Sequence, residues 1–284
     1  NTGFGALSTT KISHDRLCDL QMNLLRSHAA GTGDALNNEI VRGMMVLLVA
    51  SLCRGLSGVR PELAQCLVDM LNANVTPIIP SIGSVGASGD LAPLAHLALV
   101  VCGEGNATIG KETMSGNAAM VATGISPLVP IEKEGLALIN GTHMMTSIAA
   151  LAHVDIATIC ESAVIATAMS IDAAKATNSF LDDRLHEARG QSGQRSVAKK
   201  ISEHLKGSTI IESHIQGDPR VQDPYSFRCA PQVLGAAIEA IARVDGILAA
   251  ELGAVTDNPL VFPNDDDIVS GGNFHGMPIA IAMD

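Results

Sequence analysis

A chain of 284 residues, 47% apolar but only 2% aromatic, can bury a large core and must build it from aliphatic side chains. Its formal charge of −11 argues against a nucleic-acid partner, because phosphate binding needs clustered Lys and Arg. Six scattered cysteines without a CxxC pair, and nine histidines without metal-ligand spacing, read as the reduced thiols of a cytoplasmic protein that carries no metal.

Taken in chain order, Ser13 is a candidate N-cap for a helix from Arg16 to Ser27, and Asp34 for a second helix to about Gly55. Pro61 opens a third helix, through Val75, at the first helical position where a missing N–H costs nothing. The run TPIIP at 76–80 breaks it. Asp90 reads as the N-cap of a helix from Leu91 to about Cys102. Residues 105–116 read as a hairpin or turn region and 117–124 as a short helix. From Gly141 to about Thr177 the chain reads as one very long apolar helix. His153, Asp155 and Glu161 interrupt its apolar run, so the expectation is a buried central helix and not a membrane span. Residues 178–230 are more polar, carry one helix near 194–206, and form a candidate mobile loop. Pro231 starts another long helix, to about Val255. Residues 257–262 read as a short strand, 265–267 and 271–272 as turns, and a last helix begins near His275. The fold expected is mainly α, with long apolar helices packed as a bundle in a single helical core over 1–284 and an apolar surplus left for subunit contacts.

The chemistry lies in residues 81–90, SIGSVGASGD. An Ala-Ser-Gly triplet is most often a turn before a helix, but it can also react with itself. The Gly89 nitrogen can attack the Ala87 carbonyl carbon and close a five-membered ring. Loss of two waters, one of them from Ser88, then leaves a methylidene-imidazolone, an electrophile that no ordinary side chain provides. Glycine suits the attacking position because no side chain blocks the backbone approach and unusual dihedrals are tolerated. A place ahead of the helix at Leu91 puts the electrophile at a helix N-terminus, where partial positive charge strengthens it. Gly83, Gly86 and Gly89 match neither GxGxxG nor the P-loop, so a phosphate site is the weaker alternative.

Seven stretches, in order, surround this triplet: NTGFG (1–5), RSHAAGTG (26–33), GSVGASGDLAPLAH (83–96), EGLALINGT (134–142), QDPYSFR (222–228), TDNPLVF (256–262) and GGNFHG (271–276). With them the chain resembles the aromatic amino acid ammonia-lyases, and within these the branch that acts on histidine. The resemblance implies a fumarase/aspartase-like long-helix bundle with a few short strands, assembled as a homotetramer whose active sites are shared between subunits. It implies a self-formed methylidene-imidazolone (MIO) built from Ala87, Ser88 and Gly89. It further implies conversion of L-histidine to trans-urocanate and ammonia, as in histidine catabolism, in the cytoplasm and with neither membrane nor nucleic acid as partner. A tyrosine that the family carries three residues before NTGFG, and a glutamate that it carries beyond Asp284, fall outside the chain, which is therefore expected to lack an N-terminal segment and a C-terminal portion. Two other readings stand beside this one. The first is a phenylalanine or tyrosine ammonia-lyase or aminomutase of the same family; the second is a catalytically silent helical scaffold whose triplet never cyclises.

The remaining candidates each have an ordinary structural alternative. Asn140 is a turn former or N-cap, and by resemblance contacts the electrophile. Tyr225, the single tyrosine, is a turn residue in water, and by resemblance lines the site as a proton relay. Arg228 is a solvated surface cation, and by resemblance grips the substrate carboxylate with its two-pronged guanidinium. Gln222 opens the same motif as a substrate or prosthetic-group contact. Phe274 is plain core, and by resemblance packs over the electrophile. His28 is a helix C-terminal cap, and by resemblance forms with Ser27 the polar pair that receives the substrate imidazole. His143, directly after NGT, departs from the glutamine expected in the histidine branch and leaves fine details of the pocket open.

Overall fold

In the computed structural model of the chain, residues 10–284 are described, so NTGFG at 1–5 lies outside the described residues. These residues gather into two compact units. The first takes the described residues up to Ala150 together with Ile247–Asp284, and the second is Leu151–Gly246. The sequence reads as one core; the division falls inside two long helices.

The elements of the first part of the chain are α1 (Leu17–His28), β1 (Thr32–Ala35), α2 (Asn38–Leu52), α3 (Pro61–Asn72), β2 (Val75–Pro77), β3 (Pro80–Ile82), α4 (Leu91–Val101), β4 (Asn106–Ile109), β5 (Glu112–Ser115), α5 (Gly116–Ala122) and α6 (Glu134–Ile139). The long helix α7 (His143–Ala173) follows. Then come α8 (Asp183–Arg189), α9 (Ser192–His204), α10 (Thr209–Glu212), α11 (Tyr225–Arg228), α12 (Ala230–Leu252), β6 (Leu260–Phe262), β7 (Asp267–Val269) and α13 (Met277–Met283). The mainly helical fold expected from the pattern is the one found.

The core of the first unit is aliphatic. On α3, Leu63, Cys66, Leu67 and Met70 recur at helical spacing and form its buried face. They pack with Met44, Met45 and Leu48 of α2 and with Leu94, Leu97 and Ala98 of α4. Helix α4 is apolar on nearly every side, as a helix enclosed by its neighbours should be. Two readings change here, and one segment left unread takes a form. Asp34 lies in β1 and caps nothing; the N-cap of α2 is Asn37. The run 76–80 does more than break α3. It supplies β2, which extends the β4–β5 hairpin into a three-stranded sheet, and β3, which pairs antiparallel with β1. EGLALI is helical (α6), because Ala137, Leu138 and Ile139 all find buried partners.

The second unit corrects the loop reading of 178–230. A 3-10 turn at Ser179–Leu181 and helices α8 to α11 occupy it. Phe180, Leu181, Val197, Ile201 and Ile211 pack on Val164, Ala168 and Ile171 of α7. The polar residues that suggested a loop include helix caps: the Asp182 carboxylate accepts from the Arg184 N–H, and the Ser208 hydroxyl from the Ile211 N–H.

Helix α7 forms, with bounds close to those expected, but it is not buried. In its most apolar stretch only 11% lies inside the chain, and Val154, Ile159 and Met169 are 66%, 63% and 67% exposed. The described residues leave much of its apolar surface uncovered. Length and composition alone would let α7 cross a membrane. It also carries Asp155, Glu161 and Asp172, of which Glu161 pairs with Lys200 and Asp172 accepts from the Ser208 hydroxyl.

Candidate active site

In the first unit, four of the sequence motifs meet around the Ala87-Ser88-Gly89 loop. Gly86 and Gly89 both adopt left-handed backbone, at φ 71° and 70°, which L side chains rarely reach. The backbone of Gly89 bridges to Gly86, to Ala87 and to Gly141 of the INGT segment. A Cβ on Gly89 would overlap the Gly141 carbonyl oxygen and stand 2.7 Å from its carbon and 3.0 Å from the Phe274 carbonyl oxygen. Only glycine therefore fits. On the other side, the Gly276 N–H donates to the Gly86 carbonyl at 2.8 Å, which seats the GGNFHG segment on the loop.

Asp90 is the pin of this arrangement, and it does a different task from the one its position suggests. It precedes α4 but makes no side-chain cap there. One carboxylate oxygen accepts from the N–H groups of Met144 (2.8 Å) and Met145 (3.0 Å), at the start of α7. The other accepts from the Ser84 hydroxyl at 2.8 Å, and the Asp90 N–H donates to the Gly141 carbonyl at 2.7 Å. Asp90 thus ties the loop, α4 and the first turn of α7 together. Burial raises its pKa; the bonds from Met145, Ser84 and Met144 oppose that rise.

Asn140 is buried just before Gly141, and its side-chain amide donates to the Asn258 carbonyl at 2.9 Å. Thr142 N–H donates to the Thr256 hydroxyl at 3.2 Å. The carboxylate of Asp257, in the same TDNPLVF segment, pairs with Lys133. Asn258 in turn accepts from the Gly271 N–H at 2.6 Å, so TDNPLVF is the brace between INGT and GGNFHG. Phe274 is half-buried beside Gly89 through its backbone.

The RSHAAGTG segment reaches the same region through the β1–β3 pair, Thr32 opposite Ile82, and through the Gly31 N–H, which donates to His96 Nε2 of α4 at 3.1 Å. His28 ends α1. Its Nδ1 lies 2.9 Å from the Leu24 carbonyl, which can only accept, so Nδ1 carries the proton. Ser27 sits 3.0 Å from the same nitrogen. His28 therefore closes the helix end through Nδ1.

Gln222, Tyr225 and Arg228 belong to the second unit. Tyr225 and Arg228 stack, with the guanidinium carbon 5.0 Å from the ring centroid, and Tyr225 is 71% exposed. Gln222 is exposed. The Arg228 Nε is buried without a hydrogen-bond partner among the described residues. Asp223 anchors this segment by accepting from the Thr177 N–H and hydroxyl at 2.8 and 2.6 Å.

His143 deserves its own place in the site. It is the first residue of α7, only 5% exposed, and neither ring nitrogen has a partner among the described residues. Its Nδ1 edge lies on Gly141, where an added Cβ would be 2.7 Å away. Burial lowers its pKa to about 4, so the ring is neutral near pH 7. Sequence reasoning passed over Asp90 as a pin, Asn258 and Thr256 as braces and His96 as a tie; a polar residue inside each motif was the only signal. Among the described residues no cluster has the makings of a metal site.

The arrangement suits a self-formed ring. The triplet is held compact, its attacking residue is the glycine that the close approach requires, and it stands between the N-terminal turns of α4 and α7. Comparison with known proteins gives the family. The family model for aromatic amino acid lyases matches residues 1–284. Histidine ammonia-lyase of Paracidovorax citrulli is 48% identical over 284 residues, covering 100% of this chain and 55% of the relative. The crystal structure of histidine ammonia-lyase from Trypanosoma cruzi superposes with a TM-score of 0.89 at 41% identity, over 99% of this chain and 53% of that one. Phenylalanine aminomutase of Pantoea agglomerans gives 0.91 at 31% identity, over 100% and 57%. The chain spans about half the length of these relatives. With its motifs gathered on one glycine-locked loop and a family match from end to end, the chain belongs to the aromatic amino acid lyase family.

Proposed function

We propose that the protein deaminates L-histidine to trans-urocanate and ammonia, with an MIO formed from Ala87, Ser88 and Gly89. The observation that carries the reading is the locked loop, where Gly89 in left-handed backbone is pressed on Gly141. When formed, the group supplies an electrophilic carbon that makes an amino group a better leaving group.

The chain's own residues do the rest. His28, with Nδ1–H given to Leu24, offers the Nε2 lone pair to the N–H of a substrate imidazole. An apolar pair at Ser27 and His28 would leave that ring unpaired, which favours histidine over phenylalanine or tyrosine. Arg228 holds the substrate carboxylate with two parallel N–H donors, and its unpaired Nε supports that task. Tyr225, stacked on Arg228, moves a proton by its phenol. Asn140 and Gln222 give polar contacts, and Phe274 covers the loop. The relatives' names support histidine as the substrate. A phenylalanine- or tyrosine-type lyase or aminomutase is the second reading, favoured by the similarity to the Pantoea enzyme and to solved tyrosine aminomutases and phenylalanine ammonia-lyases.

Assembly as a homotetramer covers the apolar sides of α7 and α12, where Val154, Ile159, Met169 and Val233 lie open. The six free cysteines suit the cytoplasm. The test is intact mass together with turnover. The native chain weighs two waters less than its sequence, the loss maps to the peptide holding Ala87–Gly89, and histidine gives the ultraviolet absorbance of urocanate. Ser88→Ala keeps its circular dichroism and its full mass and has no lyase activity. An unmodified native chain, or turnover by the Ser88→Ala protein, sinks the proposal.

A further inference from the structure

Resting on that reading, we propose that His143 is a positioning residue for closure of the triplet, its polar ring atoms being satisfied as the loop closes. Buried polar groups are nearly always paired, and one left unpaired costs stability. An imidazole 95% removed from solvent, with neither nitrogen partnered among the described residues, therefore calls for a ligand. Its place says which one. The ring bears on Gly141, and Gly141 is the residue whose carbonyl lies against Gly89 and accepts from the Asp90 N–H. Any movement of Gly89 toward Ala87 is thus felt at Gly141, two residues from His143 and in contact with its ring.

The closing step rearranges the hydrogen-bonding groups of the loop. The Gly89 N–C(Ala87) bond forms, the carbonyl π pair moves to oxygen, and the Gly89 proton ends on that oxygen as a hydroxyl. This hydroxyl leaves as water with the Ser88 N–H proton, giving C=N. The Ser88 hydroxyl leaves with its own Cα proton, giving the methylidene. No oxidant is needed. An acceptor turns into a departing hydroxyl, and the donors on Gly89 N, Ser88 N and the Ser88 side chain disappear. A neutral imidazole, with one N–H and one lone pair, can pair with either kind of group as this happens. Arginine or lysine would offer only donors.

The experiment uses the full-length protein and reads the fraction of purified chains that are two waters lighter than their sequence. His143→Leu and His143→Gln have similar volume and differ in polarity. The parent and H143Q should be closed, and H143L should be folded by circular dichroism with its ratio of closed to open chains reduced roughly tenfold or more, the size expected for a lost buried hydrogen bond. Should H143L not fold, H143F, which keeps a ring without nitrogens, replaces it with the same expectation. H143L or H143F closing as fully as the parent, or H143Q staying as open as H143L, overturns the inference. A parent that never loses the waters overturns instead the reading on which the inference rests.

Discussion

Gly89→Ala, made in the Ser88→Ala background so that no chain carries a ring, measures how tightly the loop is locked. A left-handed residue with a Cβ costs about 1–2 kcal/mol. The same Cβ meets the Gly141 carbonyl, which cannot retreat without releasing the 2.7 Å bond from Asp90 N–H inside the fold. A buried backbone pair left open costs about 1–3 kcal/mol more. The sum, about 2–5 kcal/mol, lowers the melting temperature by roughly 5–15 °C in a domain of this size. Two controls divide that sum. Gly110 is also left-handed, at φ 62°, but an added Cβ has nothing within 4 Å, so Gly110→Ala reports backbone strain alone. Gly271 has neither constraint, and Gly271→Ala should be neutral. Thermal melts followed by circular dichroism give all three. If Gly89→Ala costs no more than Gly110→Ala, the close approach to Gly141 is not holding the loop and the argument for a locked triplet fails.

Arg228→Lys keeps the charge and loses the second prong; steady-state kinetics on histidine should show a higher Michaelis constant and slower turnover, and unchanged values would place the carboxylate elsewhere. Paired changes His28→Leu and Ser27→Phe should cut activity on histidine far more than on phenylalanine, by roughly 10⁴-fold if a buried hydrogen bond is lost, whereas equal losses would make His28 only a helix end. His143 sets a pH signature. Its pKa is about 4 when folded against 6.5 unfolded. The unfolded chain therefore takes up a proton below pH 6.5 that the native chain refuses until about pH 4, so stability falls across that window as pH falls, by about 3 kcal/mol. In denaturant titrations at pH 7 and pH 4, H143L should lose about that much less than the parent; equal losses would mean the ring is not buried.

Much of this was readable because glycine, serine and proline act locally. The Ala87–Gly89 triplet, Pro61 at the first turn of α3 and the long apolar run of α7 each announce themselves within a few residues. What failed depended on partners distant in sequence. β1 reads TGDA, with no alternation to mark a strand, and exists because β3 lies beside it. Asp90 looked like a cap and is one, but for α7, whose capped N–H groups lie 54 and 55 residues later. Phe180 and Ile211 belong to isolated apolar pairs, Phe180–Leu181 and Ile210–Ile211, in a polar stretch, and they became a core only against α7. Asn140, Gly141 and Phe274 could be gathered only by the resemblance, since nothing in their spacing says that they meet.

The double duty of Asp90 also orders events in time. A carboxylate at 0% exposure is poorly tolerated until Ser84, Met144 and Met145 all donate to it, and two of those donors come from the first turn of a helix made well after the loop. Until α7 begins to wind, the triplet lacks the hold that Asp90 takes on Met144 and Met145. On the proposed reading the loop would work under a safety catch: the electrophile would be armed only once Asp90 has met its donors on α7, and a misfolded copy would stay chemically harmless.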